Sequence, residues 1–274
     1  MRFFMLPLVL ISTIIQTGDW SPPRNPDPSA ILTEARADVR AKEYKTALAK
    51  HIWYHENALK IQPSQRGVRL SYAINDWVKL GEKYPPALKK LREIRDESTQ
   101  RVIADDDKRE EIVVDAKTKL LTFRDLFHDI ESINEELDEN QKTVETFKTL
   151  EQNQPEKARM VYGLAQKALV LSKEYEICSK YISFEVALAN VVQRYQESKK
   201  LAEAKDSSWK STYRNYAKER FTNNSALIAA LLTVNDRADE AKDFAEAAKS
   251  ELDDKEFHKA LEQSLKGVVP DPWP

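Results

Sequence analysis

The chain has 274 residues, only five of them glycine, and 32% of its residues are charged. Alanine, leucine, glutamate and lysine are abundant, and these residues have high helix propensity. Because no sustained period-2 alternation occurs, we predict an all-α fold with essentially no sheet. The net charge of −2, with mixed signs everywhere, argues against bulk nucleic-acid binding, which usually needs a basic stripe.

The N-terminus carries Arg2 followed by an apolar run from Phe3 to Ile15. This run is too short to span a bilayer comfortably and is typical of a secretory signal. We therefore expect residues 1–18 to be a signal peptide or N-terminal anchor of an exported protein, periplasmic or membrane-anchored, with a cytoplasmic location as the alternative. Residues 19–28 contain four prolines and predict an extended linker.

Caps and breakers predict helices through the rest of the chain. Gly267 is expected to close the last helix, and the helix over 184–204 is expected to bury a wide apolar face that includes Val186, Val191 and Tyr195. The predicted ranges are 29–41, 44–61, 66–80, 86–99, 108–119, 121–137, 140–152, 155–171, 174–182, 184–204, 207–221, 224–234, 237–252 and 255–266.

The most specific motif is W-x2-L-G-x2-Y-x2-A, formed by Trp77, Leu80, Gly81, Tyr84 and Ala87. The four residues other than the glycine recur at helical spacing and share a face. Gly81 is small enough for a neighbouring helix to approach closely, and it can adopt the positive φ that a helix end often needs.

Related sequence motifs occur elsewhere in the chain. Tyr44 and Ala47 have the spacing of Tyr84 and Ala87, Tyr175 and Cys178 repeat it, and residues 235–241 form a looser copy. On these motifs the chain resembles the tetratricopeptide repeat superfamily. The resemblance implies that residues 29–269 form a right-handed α-solenoid of helix–turn–helix repeats, with about 12–14 helices.

Members of that superfamily bind other proteins far more often than they catalyse reactions. The resemblance therefore implies a non-catalytic interaction scaffold or adaptor, for which we expect no cofactor. With the N-terminal segment, it predicts a scaffold in a bacterial cell envelope. First helices of successive repeats line the concave groove in this superfamily, and the lysines among the transferred positions suit an acidic or C-terminal carboxylate ligand. The transferred groove positions are Asp38, Lys42, Asn75, Lys79, Gln166 and Lys173.

An alternative hypothesis is a metal- or small-ligand-binding helical-array protein, or an enzyme, that uses His51 and His55. Four residues apart, the two histidines share a helix face and have metal-ligand spacing. The segment between them lacks the H-E-x-x-H pattern, and Glu56 is expected to point to another face. We expect polar contacts or surface display for this pair, not a metal.

The remaining polar features have structural interpretations. Cys178 is the sole cysteine, so no internal disulfide can form, and its place in the repeat predicts a buried packing thiol. The acidic run 105–107 lacks the glycine of a calcium loop and predicts a solvated turn. The Pro/Trp tail, 270–274, leaves three alternatives open: Trp273 caps the last helix pair, the tail is recognised by another protein, or the tail is disordered.

Overall fold

The structure, a computed structural model, describes residues 20–104, 111–114, 117–120, 123–204 and 207–272. Within these ranges the chain is all-α, with thirteen α-helices and one short β-hairpin. The contacts divide it into two compact units, which meet in the sequence between Asp138 and Glu139. The predicted signal or anchor (1–18), the acidic run 105–107 and Trp273 lie outside the described residues.

Unit 1 contains six helices, a 3₁₀ turn and the hairpin. The predicted helix over 66–80 is interrupted at residues 70–71, so a short helix precedes the one that carries the Trp77 motif. The helices are α1 (Pro28–Ala41), α2 (Tyr44–Ile61), α3 (Arg66–Arg69), α4 (Tyr72–Lys83), α5 (Pro85–Ile103) and α6 (Phe123–Glu136), with the 3₁₀ turn at Pro63–Gln65.

Trp77 lies at the centre of the unit 1 core. Its side chain is 2% exposed, and its indole Nε1 donates a hydrogen bond of 2.9 Å to the carbonyl oxygen of Ala87. This bond ties α4 to the first turn of α5 and satisfies the only polar atom of a large buried ring. The other buried members of the cluster are Ala47, Leu48, Ile74, Leu80, Ala87, Leu91 and Ile133.

A β-hairpin replaces the helix that was predicted over 108–119. Strands β1 (Glu111–Val114) and β2 (Lys117–Leu120) pair antiparallel, with Glu111 opposite Leu120 and Val114 opposite Lys117. The segment Ile112–Val114 is β-branched throughout, which lowers helix propensity and favours an extended backbone. The prediction of essentially no sheet is therefore wrong for this segment, which lies against α2.

Unit 2 contains seven helices, and one of them is much longer than predicted. The ranges 207–221 and 224–234 form a single helix of 27 residues, because residues 226–232 are all buried and this burial outweighs the weak helix propensity of Asn223 and Asn224. The helices are α7 (Asn140–Asn153), α8 (Pro155–Leu171), α9 (Tyr175–Lys180), α10 (Phe184–Glu203), α11 (Ser207–Thr233), α12 (Ala238–Lys249) and α13 (Lys255–Ser264).

The prediction of a wide buried face on α10 is wrong. Val191, Tyr195 and Ala202 are buried, whereas Val186 is 59% exposed and Leu201 is 51% exposed. The helix packs mainly on α11 and more sparsely on α12, so a narrow stripe of buried side chains is enough to hold α10 in place. None of the described helices is both long and apolar enough to cross a membrane.

Three inter-helix turns share one backbone geometry. Lys42, Lys173 and Asp236 have φ of 66°, 60° and 60°, and the N–H of the following residue donates to the carbonyl five positions earlier, a known way to end a helix. These donors are Glu43 (to Asp38, 2.9 Å), Glu174 (to Leu169, 2.9 Å) and Arg237 (to Leu232, 3.0 Å). A fully buried small residue follows each turn: Ala47, Cys178 and Ala241.

Two glycines act in different ways. Gly267 has φ +84° and closes α13, as predicted. Gly81 lies inside α4, and the positive φ allowed for it is absent, because Gly267 is the only glycine with positive φ in the described part of the chain. Its small size is required for another reason: a Cβ at this position would lie 2.2 Å from Leu88 Cγ on α5.

The packing at Gly81 predicts opposite effects of alanine at two helical glycines. Gly81→Ala should lower the free energy of unfolding by about 1–2 kcal/mol, because the clash with Leu88 outweighs the gain in helix propensity. Gly163→Ala in α8 is the matched control, since no described atom lies within 4 Å of the added Cβ. It should stabilise the protein by up to about 1 kcal/mol. Urea unfolding measures both values, and equal signs would contradict the packing described here.

Candidate functional site

A cleft of about 300 Å³ opens in unit 1. Its walls come from α2, α3, α5 and α6, and they combine a few apolar side chains with acidic and basic ones. The lining residues are His55, Glu56, Leu59, Lys60, Arg69, Ile94, Glu97, Ser98, Arg101, Leu126 and Asp129. The structure therefore brings His55 and Glu56 to one cleft, together with charged residues that the sequence motifs do not mark.

Both histidines of α2 contact Trp77. The ring centroid of His51 lies 5.6 Å from that of Trp77, and the ring of His55 meets it edge-on at 6.1 Å. His51 is 1% exposed, and neither of its ring nitrogens has a hydrogen-bond partner among the described residues. Burial, assisted by the charge of Arg36, lowers the pKa of His51 to about 3. His51 is thus a neutral core residue, and the predicted surface display is wrong for it.

The floor of the cleft is a buried ion pair between Arg69 and Asp129. Each side chain is 7% exposed, and both oxygens of the carboxylate accept hydrogen bonds from the two terminal nitrogens of the guanidinium. Such two-point pairs are strong and geometrically specific. Although burial opposes it, Arg69 holds the pKa of Asp129 below its usual range. The two charges therefore neutralise each other inside unit 1.

His55 completes this network. Arg69 Nε donates to the backbone oxygen of His55 at 2.8 Å, and Arg69 Nη2 lies 3.0 Å from His55 Nε2. Because a guanidinium only donates, His55 Nε2 must accept, which places the imidazole proton on Nδ1. Burial and the Arg69 charge lower the pKa of His55 to about 3, so its ring is neutral at physiological pH.

Two further polar contacts fix α6 beside this pair. Arg66 bonds the Asp125 carboxylate, and Arg95 Nη1 donates to Asn134 Oδ1 at 2.6 Å. Together with the Arg69–Asp129 pair, these contacts hold α6 at three positions along its length. Asp125 and Asp129, four residues apart on the buried side of the amphipathic helix α6, are the one sequence signal that could have marked the site. Their arginine partners are about 60 positions away.

This geometry does not favour the metal hypothesis for His51 and His55. A cation, Arg69, occupies the accessible nitrogen of His55, and His51 is enclosed against Trp77. In the described part of the chain, no three His, Cys, Asp or Glu side chains are grouped so as to hold a metal ion. Glu56, expected on another face, lines the same cleft as His55.

The repeat-signature residues lie in the core or at the turns. Trp77, Leu80, Gly81 and Ala87 are buried, and the rings of Tyr44 and Tyr84 stack at 6.2 Å. In unit 2, the Tyr175 carbonyl accepts a hydrogen bond of 3.0 Å from Asn235. Cys178 is fully buried, and burial raises the pKa of its thiol to about 12, which confirms the predicted packing thiol.

The predicted groove positions differ in what they contact. Asp38 lies 2.8 Å from Lys50 Nζ, Asn75 Nδ2 donates to Glu136 at 2.9 Å, and Gln166 Nε2 donates to the Tyr162 hydroxyl at 3.1 Å. These three side chains therefore have internal structural contacts. The three lysines, Lys42, Lys79 and Lys173, are exposed, and the first and last of them lie in the left-handed turns. Their role in partner binding stays a prediction.

Comparisons of the chain with protein-family models, with curated proteins and with solved structures found no match.

The buried pair predicts a strongly non-additive double-mutant cycle. Asp129→Leu or Arg69→Met alone should cost about 3–5 kcal/mol of unfolding free energy, because each leaves an unpaired buried charge. The double variant should lie closer to the wild type than either single variant. Asp239→Asn, which removes an exposed partner 3.2 Å from Lys242, should change stability by less than about 1 kcal/mol. Additive effects of the two core changes would contradict the described pair.

Acid should destabilise unit 1 through its buried histidines. The pKa of His51 in the folded protein, about 3, lies below its ordinary value of 6.5. The unfolded chain therefore binds more protons between these values, and stability is lost as pH falls from 6.5 towards 3. His51→Phe should remove about 2 kcal/mol of this loss between pH 7 and pH 5. Urea unfolding at several pH values tests this, and parallel curves for variant and wild type would exclude the buried neutral histidine.

Proposed function

We propose that this protein is a non-catalytic interaction scaffold built from tetratricopeptide-like helix hairpins, which bind a protein partner in the concave groove of a right-handed solenoid. The observation that carries the proposal is the turn shared by Lys42, Lys173 and Asp236. The turns at these three positions close helices in the same way and precede a buried small residue. Repetition of one supersecondary unit is the property from which repeat proteins build extended binding surfaces.

The chemistry of the cleft also supports binding over catalysis. At its floor, Arg69 and Asp129 satisfy each other, and His55 is held neutral as an acceptor for Arg69. A general base must instead reach the proton of a bound substrate, with a pKa near the working pH. We assign Arg69, Asp129 and His55 a structural role, which is to hold in place the helices that line the cleft.

The rim has the properties of a polar recognition surface. Glu56, Lys60 and Glu97 are exposed at the cleft, so both signs of charge face a ligand. A volume of about 300 Å³ is at the low end for small-ligand pockets and suits a short stretch of a partner chain. The exposed lysines Lys42 and Lys79 of the same unit are the further contacts proposed for an acidic or C-terminal carboxylate group.

The proposed location follows from the N-terminal segment. An apolar run from Phe3 to Ile15 behind Arg2 supports an exported protein, periplasmic or anchored at the membrane of a bacterium. A cytoplasmic location is the alternative. Mass spectrometry of the N-terminal peptide of the native protein distinguishes a cleaved signal, an uncleaved anchor and an unprocessed cytoplasmic chain.

The test of the scaffold is an affinity capture from crosslinked native cells, with wild-type protein and three charge-reversal variants. We expect a stoichiometric protein partner with the wild type, and at least about tenfold less of it with Lys79→Glu or Lys60→Glu, since contacts at an interface centre are costly to reverse. Lys242→Glu, an exposed control in unit 2, should capture the partner normally.

The captured partner is then purified and its affinity for the same variants is measured by calorimetry. A direct complex, weakened by the two unit 1 variants and not by the control, supports the proposal. Wild-type protein that comes down alone, or a partner that does not bind once purified, overturns the scaffold.

A further inference from the structure

The two halves of α11 have different environments. Its C-terminal half is buried on all sides, since each residue of the range 226–232 is at most 9% exposed. In its N-terminal half Trp209 is 60% exposed and Tyr216 is 47% exposed. Because removing an aromatic side chain from water stabilises a protein by kilocalories per mole, the exposed ring of Trp209 offers apolar surface that a binding partner can cover.

The exposed half of α11 pairs with the end of α10. Two residues of these helices bond the segment that follows α12. Gln196 of α10 donates to Glu251 at 2.8 Å, and Lys218 of α11 donates to Asp254. Farther towards the connection, Glu203 bonds both Lys210 and Arg214 across the two helices. We call the described side chains of 197–204 and 209–217 the hairpin tip.

The hairpin tip combines exposed apolar side chains with basic ones. Leu201 is 51% exposed, and both it and Trp209 lie within about one helical turn, ~5.4 Å, of the connection between α10 and α11. Lys199 and Lys200 precede Leu201 and are exposed. Residues 197–214 contain five Lys or Arg against three Asp or Glu, a local charge of +2 in a chain whose net charge is −2.

We propose that the hairpin tip is a peripheral membrane-binding element that inserts into the headgroup region of an anionic lipid bilayer. Trp209 and Leu201 would enter the boundary between headgroups and acyl chains, where an indole ring can be apolar on its face and hydrogen-bonded at its edge. Lys199 and Lys200, which are exposed, would contact anionic headgroups, each attracted by the negative surface potential of the leaflet.

Charge complementarity decides for an anionic surface. The basic residues of the tip flank the exposed apolar ones, which is the arrangement of interfacial membrane-binding segments. None of the described helices is both long and apolar enough to cross the bilayer, so the proposed insertion is limited to the membrane interface. This inference is independent of the partner proposed for the groove, because it uses different residues in the other unit.

The test uses the full-length protein with a fluorescent label at the tip. Ser211→Cys is exposed beside Trp209, and the native Cys178 is fully buried, so a thiol-reactive bimane attaches selectively to the new cysteine. Vesicles of phosphatidylcholine with 30% phosphatidylglycerol carry lipids with a nitroxide near the headgroup, which quenches a label at that depth. The same label on Lys242→Cys, in α12 beyond the opposite end of α11, is the positional control.

We expect the tip label to be quenched by the anionic vesicles, weakly by pure phosphatidylcholine, and less as salt rises. The double change Trp209→Ser with Leu201→Ser should raise the lipid concentration at half-quenching by at least about tenfold, and Lys199→Glu with Lys200→Glu should do the same. Tyr72→Ser removes an aromatic side chain that is 70% exposed in unit 1, and it should leave the titration unchanged.

Three results would overturn the proposal. The tip label could stay unquenched by anionic vesicles. Quenching could occur equally at the tip and at position 242 and be insensitive to the Trp209 and Leu201 changes, which would assign membrane binding to another segment such as the N-terminal apolar run. The label could respond instead to an acidic peptide or an oligonucleotide without lipid, which would assign the tip to that partner.

Discussion

Unit 1 depends on the buried ion pair between Arg69 and Asp129. An ion pair away from water adds little net stability over an apolar replacement, but removal of one partner leaves a charge that the interior cannot solvate. The pair therefore acts as a positional constraint: α6 can dock only where its carboxylate meets the guanidinium. The same guanidinium fixes the tautomer of His55, so one arginine contributes to the docking of α6 and also sets which ring nitrogen of His55 carries the proton.

The ion pair also divides the polar residues of the cleft into a buried set, which bond one another, and an exposed set, which face solvent. Arg69 bonds both Asp129 and His55, so the three polar side chains at the cleft floor pair with one another, and Trp77 packs against both histidines. What faces solvent is a rim of mixed charge on α2 and α5. A surface of this kind can distinguish partners by electrostatic complementarity while the buried network keeps its shape constant.

Unit 2 uses burial differently, because its longest helix is a core element for one half of its length and a surface element for the other. The buried half explains why Asn223 and Asn224 do not break the helix: their neighbours on each side pack against α12 and α13. Asn223 also donates to the Asp271 carbonyl at 2.9 Å, which lays the start of the Pro-rich tail along α11. In the other half Trp209 is 60% exposed, and a membrane-binding role is proposed for that end of the helix.

Local physics determined much of the helical framework from the sequence alone. Helices α2 and α8 begin and end at the residues predicted, because a proline or a closed turn precedes them and apolar periodicity runs through them. The buried positions of the Trp77 motif and of Cys178 follow from the same spacing. Sequence alone also brought His55 and Glu56 under consideration, and the polar contacts expected of His55 are those that it makes with Arg69.

Tertiary structure decided what depends on distant partners. The partner of Asp129 is 60 positions away, so only packing reveals that its charge is neutralised and that His55 must be a neutral acceptor. The unbroken α11 was also decided by packing, because the burial of residues 226–232 continues the helix through two asparagines of weak helix propensity. Charges and short segments are governed by their surroundings, whereas turns and helix ends are governed by residues within one or two turns of them.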